Sequence, residues 1–106
     1  MQVLFDQGTP APLRAFLLSH QVSTAYERGW STLKNGELLQ AAELAGFAVL
    51  VTTDTNLKYQ QNLAARRVSV VVLSTTSWPR IRAHLEFVVI AVSSATPGSY
   101  FEVHIP

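Results

Sequence analysis

The sequence predicts an α/β domain in which helices cover both faces of a mostly parallel sheet of about five strands. Segments with strand character alternate with segments of helical character along the chain, which is the order of βαβ units. Two internal runs, residues 47–52 and 68–73, are almost continuously apolar, as in parallel strands that are covered on both faces. Apolar residues make up 48% of the chain and charged residues only 14%, which argues strongly against disorder. We therefore expect a three-layer α/β/α sandwich formed by one domain, residues 1–106.

The first part of the chain predicts a strand, a helix, a second strand and a loop. Residues 3–5 are apolar and end at a turn that contains glycine and proline, so they predict a short buried strand. A helix is expected from about residue 10 to residue 20, because prolines suit the first turn of a helix. Residues 22–25 predict a weaker strand, and residues 27–34 have no apolar period and predict a loop.

The middle of the chain predicts one helix with clear ends and the central strands. Asn35 is a suitable N-cap, the apolar residues that follow it have helical spacing, and Gly46 suits the position just after a helix. Residues 47–52 predict a central strand, and a short helix is expected over about residues 55–64. Residues 68–73 predict the next buried strand.

The last part of the chain predicts a helix and an edge strand. The helical pattern begins near Trp78 and Pro79 and continues to about Val89. A turn follows at residues 97–98, and alternating apolar residues from position 100 to 105 predict a strand at the edge of the sheet.

Composition argues against several classes of function. The chain has no cysteine, so it has neither disulfides nor thiolate chemistry, and its three histidines lie in different predicted elements, which argues against a zinc site. The longest apolar stretch near the C-terminus, residues 87–92, is far short of the roughly 20 residues that span a bilayer. The N-terminus lacks the pattern of a signal peptide. We therefore expect a cytoplasmic protein that does not associate with a membrane.

Three carboxylates follow strands or begin a helix in this predicted fold. Asp6 follows the first strand, Asp54 follows the central strand, and Glu37 lies in the first turn of the helix between them. The carboxyl ends of adjacent parallel strands and the starts of the following helices face one shared crevice. Acids that are distant in sequence can therefore meet there as oxygen ligands of a divalent cation.

Each acid also has a simpler interpretation. Asp6 can shape the turn that follows it, and Glu37 can complement the helix dipole, a contribution of roughly 0.3–1 kcal/mol. Asp54 is a suitable N-cap for a helix that begins at residue 55, and Asn56 is either a neutral oxygen ligand or a residue of the helix start. Jointly, two aspartates at strand ends and a glutamate at a helix start exceed what caps alone require.

Such a cluster of acids predicts dependence on a metal ion. Carboxylates packed within a few ångströms repel one another, and a divalent cation removes that repulsion. Mg²⁺ and Mn²⁺ prefer carboxylates and water, and either ion can activate a water molecule for attack on phosphorus. The predicted metal ligands are therefore Asp6, Glu37 and Asp54, with Asn56 beside them.

Basic and aromatic residues near these acids suit a single-stranded nucleic acid. The formal net charge is only +1, so such binding requires a local basic patch. Trp30 and Tyr59 offer aromatic faces, and the alternative is an ordinary solvated helix face with one core tryptophan. The basic residues expected to flank the crevice are Lys34, Lys58, Arg66 and Arg67.

Three segments of the chain together resemble the small bacterial PIN-like proteins. They are Leu4-Phe5-Asp6-Gln7-Gly8-Thr9-Pro10, then Gly36-Glu37-Leu38-Leu39, and then Leu50-Val51-Thr52-Thr53-Asp54-Thr55-Asn56-Leu57. Proteins of that family often open with a strand, an aspartate and a proline, have an acid at a helix start midway, and carry a V-T-x-D-x-D/N motif. The resemblance covers nearly the whole chain in order and spacing.

The resemblance implies a PIN-type α/β/α sandwich and kinship with the VapC-type toxin ribonucleases. It assigns the binding of Mg²⁺ or Mn²⁺ to Asp6, Glu37 and Asp54, and it implies cleavage of an RNA substrate. Asn56 stands where many members carry a fourth acid. Toxins of this family commonly form homodimers and are neutralised by a small antitoxin protein. The alternative is a catalytically inactive PIN-like module that binds a partner or itself.

Overall fold

Five parallel strands form a single sheet in the computed structural model, which describes residues 1–57 and 63–106. Their bounds are β1 Gln2–Phe5, β2 Gln21–Thr24, β3 Val49–Thr52, β4 Ser69–Leu73 and β5 Tyr100–Val103. The strands are ordered β2-β1-β3-β4-β5, and every neighbouring pair is parallel. This arrangement confirms the predicted α/β class and places the last strand at an edge, as the sequence predicts.

Within residues 1–57 and 63–106, three α-helices and two 3₁₀ helices connect the strands. They are α1 Asn35–Leu44, α2 Trp78–Arg82, α3 Leu85–Ser93, and the 3₁₀ helices Ala11–Phe16 and Leu63–Ala65.

Two predicted helices differ from the observed ones. The helix expected over residues 10–20 is a 3₁₀ helix that ends at Phe16, and its core contact is the buried Leu13. The helix expected from residue 78 is divided at His84, whose φ of −135° and ψ of 41° are not helical. The helix expected over residues 55–64 lies largely outside the described residues.

Helices cover both faces of the sheet. Successive side chains of a strand point to opposite faces, so each inner strand contributes to two separate clusters of buried residues. On the first face, the 3₁₀ helix Ala11–Phe16, α2 and α3 pack on a cluster that includes Val3, Phe5, Val49, Val51, Val71, Leu73, Leu13, Ile81 and Val88. On the second face, α1 packs on a cluster that includes Leu4, Leu50, Val70, Val72, Leu38, Leu39 and Ala42. The domain is therefore a three-layer α/β/α sandwich.

The chain leaves β1 and β3 toward opposite faces of the sheet. After β1 it packs Leu13 on the first face, whereas after β3 it packs Leu57 on the second face. In an open parallel sheet, connections that diverge in this way leave a crevice between the carboxyl ends of the two strands. This crevice is the place at which the sequence predicts the acids to meet.

The longest described helices are short. The apolar helix α3 has nine residues and is about 14 Å long at 1.5 Å per residue. Among the described residues, none of the helices has the length and apolar character needed to cross a lipid bilayer.

Candidate acidic site between β1 and β3

Asp6 continues β1 into the crevice and is oriented by three donors. Its backbone N–H donates to the carbonyl of Val51 at 3.1 Å, which keeps the chain beside β3 for one more residue. Its Oδ1 accepts from the N–H of Thr9 at 3.0 Å and lies 2.8 Å from the Thr9 hydroxyl. Its Oδ2 accepts from the hydroxyl of Thr52, the last residue of β3. The Asp6 carboxylate thus accepts hydrogen bonds within its own turn and also links that turn to the neighbouring strand β3.

Asp54 is joined to Asp6 through Thr52 and to α1 through Asn35. The Thr52 hydroxyl oxygen that donates to Asp6 accepts from the Asp54 N–H at 3.0 Å. The Asp54 Oδ2 accepts from the Asn35 Nδ2 at 2.5 Å, and its Oδ1 accepts from the Asn56 N–H at 2.9 Å. Asp6 and Asp54, called the acidic pair below, therefore belong to one hydrogen-bonded network that connects β1, β3 and the first turn of α1.

Glu37 lies close in the chain to this network, but its side chain has another partner. It is exposed, and its Oε1 accepts from the backbone N–H of Lys34 at 3.3 Å, which is a capping contact at the start of α1. The structure thus gives Glu37 the simpler role that the sequence left open. In the described part of the chain, no group of three or more acidic or histidine side chains is placed to hold a metal ion.

Asn56 is exposed, and it contacts the network through its backbone N–H. The carboxylate of Asp54 accepts this N–H two residues ahead, which is the hydrogen bond of an Asx turn. Asp54 therefore shapes the turn after β3 with one carboxylate oxygen and accepts a hydrogen bond from Asn35 with the other.

The basic residues predicted to flank the crevice are divided between the two ends of the sheet. Lys34 is exposed and precedes α1, at the end where the acidic pair lies. Arg66 and Arg67 come just before β4, so they lie at the opposite, amino end of the strands. Arg66 Nε is 3.7 Å from Glu43 Oε1, near the end of α1. Lys58 lies outside the described residues.

Arg66 and Arg67 therefore do not flank the acidic pair. Because β3 and β4 are parallel, the end of β3 and the start of β4 lie at opposite ends of the sheet. Proximity in sequence to Asp54 was consequently a poor guide to proximity in space.

The structure adds three residues to the site that the sequence did not identify as functional. Thr52 bridges the acidic pair, and Thr9 orients Asp6. Asn35 was expected to be the N-cap, yet it is the first residue of α1 and donates its side-chain amide to Asp54. The sequence offered one signal for Thr52, which is the polar residue that ends an otherwise apolar strand. A buried hydroxyl requires a hydrogen-bond partner, so its position predicts a contact with a neighbouring polar group.

Gly8 lets the turn after β1 approach the segment after β3. A Cβ added at Gly8 would lie 2.3 Å from the Oγ1 of Thr53 and 3.8 Å from the Oδ1 of Asp6. The absence of a side chain at position 8 therefore allows the two loops to approach each other closely.

We expect Gly8→Ala to destabilise the protein by about 1 kcal/mol, the lower end of the cost of overpacking, because Thr53 can rotate away at some cost. The free energy of unfolding, measured by urea denaturation, tests this effect. Thr53→Ala removes the clashing oxygen, so the double variant should recover most of the loss. A double variant no more stable than Gly8→Ala alone would contradict this explanation.

Glu27 connects the end of β2 to the 3₁₀ helix Ala11–Phe16. Its carboxylate accepts two hydrogen bonds from the guanidinium of Arg14 and one from the Thr24 N–H at 2.9 Å. Thr24 Oγ1 accepts in return from the Glu27 N–H at 3.1 Å, so the turn after β2 is closed by a reciprocal pair. The bonds from Arg14, followed by the bond from Thr24, lower the pKa of Glu27 from 4.5 to about 2.

The stabilising contribution of Glu27 should therefore depend on pH in a defined window. A carboxylate with a depressed pKa stabilises the folded state fully above its unfolded-state value of 4.5 and loses this effect as the pH falls toward about 2. We expect the difference in Tm between wild type and Glu27→Gln to shrink over that window. Glu86→Gln, a change in the first turn of α3, is the control. An unchanged difference for Glu27→Gln would contradict the assignment.

The site has the position and the donor set of an oxygen-ligand centre. It lies at the carboxyl ends of two adjacent central strands, it contains two carboxylates and an amide, and hydroxyl and amide donors orient both acids.

Comparison of the chain with protein-family models, with curated proteins and with solved structures returned no match.

Proposed function

We propose that the protein is a Mg²⁺- or Mn²⁺-dependent endoribonuclease, the PIN-like toxin component of a cytoplasmic toxin–antitoxin system. The observation that supports this proposal best is the bridge from Asp6 through the Thr52 hydroxyl to Asp54. It links the Asp6 carboxylate to the backbone N–H of Asp54 at the carboxyl ends of two neighbouring strands, in a crevice of the kind that binds ligands in open parallel sheets.

The donors present fit a hard divalent cation. Mg²⁺ and Mn²⁺ prefer carboxylate, carbonyl and water oxygens, and the acidic pair supplies carboxylates together with the amide group of Asn35. When bound, such an ion supplies a water of lowered pKa and stabilises the leaving oxygen of the phosphodiester.

The residues of the chain have distinct roles in this proposal. Asp6 and Asp54 hold the ion, while Thr52 and Asn35 fix their carboxylates by donating to them. Glu37 becomes the third acid by leaving its 3.3 Å contact with the Lys34 N–H, a contact worth only about 0.3–1 kcal/mol at an exposed helix start. Asn56 positions a ligand or a water next to Asp54.

Cleavage of RNA tests the proposal directly. Purified protein is incubated with single-stranded and with structured RNAs in Mn²⁺, in Mg²⁺ and in EDTA. We expect endonucleolytic products with either ion and none in EDTA. Failure to cleave every RNA of the panel in both ions would rule out the enzyme.

A non-catalytic binding module is the second candidate, and one surface favours it. Phe87, Ile90 and Phe101 are large apolar side chains with 43%, 62% and 42% exposure, and the first two line a cavity of about 280 Å³ between α3 and β5. Exposed apolar groups of this kind suit a partner such as an antitoxin, or a second copy in a homodimer. If the protein is such a module, Mn²⁺ should leave its Tm unchanged. If it is the proposed nuclease, an ion that binds the folded state should raise the Tm by mass action.

A further inference from the structure

Two cavities adjoin the short segment Asp6-Gln7, and both residues line each of them. The first, of about 360 Å³, is lined by Asp6, Gln7, Thr9, Ala11, Thr24 and Tyr26. The second, of about 140 Å³, shares Asp6 and Gln7 and is lined in addition by Gly8, Trp30, Ser31 and Asn35, among others. Both cavities exceed the roughly 30 Å³ that one water occupies, so each can receive part of a larger ligand.

Each cavity carries one aromatic side chain from the loop that follows β2. Tyr26 lines the first cavity and is 79% exposed, which is unusual for a large aromatic side chain. Trp30 lines the second cavity and packs edge-on against Phe47, with ring centroids 6.0 Å apart. Asp6 lines both cavities, so each of the two aromatic residues shares a cavity with it.

The same loop places a cation beside the second cavity. The guanidinium of Arg28 lies 4.9 Å from the centroid of the Trp30 ring and 5.2 Å from that of Phe47. The negative charge of Glu27, the adjacent acid, is balanced by the Arg14 guanidinium that donates to it. Arg28 therefore presents a positive charge beside Trp30, a residue that lines the second cavity.

We infer that the crevice binds a single-stranded nucleic acid across Asp6-Gln7, with one base stacked on Tyr26 and the next received by the cavity that Trp30 lines. Alternating aromatic and basic groups are the features that bind single strands, because every base has a face that can stack. A duplex does not fit this arrangement, because its bases are paired and stacked on each other. This inference rests on the proposed function, since it names the substrate class of the same site.

Binding in EDTA tests the inference without any cleavage. A short fluorescein-labelled RNA of mixed sequence is titrated with protein, and its anisotropy is recorded. We expect Tyr26→Ala to weaken binding by about 5–150-fold, the range expected for loss of one base stack, and Tyr26→Phe to retain the affinity because the ring remains. Leu44→Ala is the matched control, because Leu44 is 82% exposed and ends α1 at the opposite end of the sheet.

Fluorescence of Trp30 gives a second, independent measurement. The chain has two tryptophans, so Trp78→Phe leaves Trp30 as the sole tryptophan reporter. We expect RNA to quench this emission, and the same RNA annealed into a duplex to bind more weakly. Equal affinity of Tyr26→Ala and wild type, absence of quenching, or tighter binding of the duplex would each overturn the inference.

Failure of this inference and failure of the proposed function give different results. Cleavage that requires Mn²⁺ together with unchanged binding by Tyr26→Ala would retain the nuclease and refute the stacking role. Binding that depends on Tyr26 without cleavage in any ion would retain the single-strand site and refute the nuclease.

Discussion

Replacing Asp54 by asparagine is expected to lower Mn²⁺-dependent RNA cleavage by at least about 100-fold, because changing even an outer partner of a metal ligand typically costs 10–100-fold. Asp6→Asn should have an effect of the same size. Each substitution keeps the shape of the side chain and removes one of the negative charges that hold the ion in the proposed site. The initial rate of RNA cleavage at saturating Mn²⁺ is the measurement.

Two comparisons make this result specific to the site. Glu43→Gln removes an acid from α1 near its C-terminal end, far along the sheet from the acidic pair, and should leave cleavage unchanged. Thr52→Val keeps the side-chain volume and removes the bridging hydroxyl, so it should reduce the rate by about 10–100-fold without removing a ligand. Wild-type rates in both aspartate variants would show that the acidic pair is not catalytic.

The second large effect concerns stability, and we expect Asp6→Ala to lower the free energy of unfolding by about 1–3 kcal/mol in EDTA. The substitution leaves the Thr52 hydroxyl, on a residue that is only 1% exposed, without its acceptor, and an orphaned buried donor costs about this much. The Thr9 hydroxyl should add little to this loss of stability, because it also lies 2.9 Å from the Val51 carbonyl and can donate to that oxygen instead. Urea denaturation measures the loss.

A double-mutant cycle assigns this loss to the bridge between the strands. Thr52→Val removes the donor, so combining it with Asp6→Ala should cost less than the sum of the two single changes, by about 0.5–3 kcal/mol. Asp6→Asn keeps an acceptor oxygen and should lie between wild type and Asp6→Ala. Additive effects of the two changes would show that Asp6 and Thr52 do not stabilise one another.

Much of the fold could be predicted because its strands are covered on both faces. The runs at residues 47–52 and 68–73 are apolar at almost every position, and the structure buries every residue of β3 and β4. The glycine after α1 has a φ of +84°, the left-handed conformation expected from its place at the end of a helix. The division between α2 and α3 was not predicted, because an apolar pattern continues across residue 84 while the backbone there leaves the helical region.

The site was only partly predictable, because side-chain partners depend on distances that the sequence does not contain. Asp6 and Asp54 follow adjacent parallel strands, with Phe5 beside Val51 in register, and the Thr52 hydroxyl links the Asp6 carboxylate to the Asp54 N–H. Glu37 instead accepts the N–H of its own helix start, and Asn35 contacts Asp54 across 19 positions of sequence. A local pattern identifies a suitable cap, but it does not show which of two neighbouring side chains will face the next strand.

The sequence by itself determined the α/β class and the strand ends that carry Asp6 and Asp54, because apolar runs and turn residues encode these features locally. Only the tertiary structure decided that Thr52 joins the two acids, that Arg66 and Arg67 lie at the opposite end of the sheet, and that Tyr26 and Trp30 each line a cavity together with Asp6. These relations depend on which strands are neighbours and on where each connection crosses the sheet. Packing of the whole chain sets both, and no short segment of sequence specifies them.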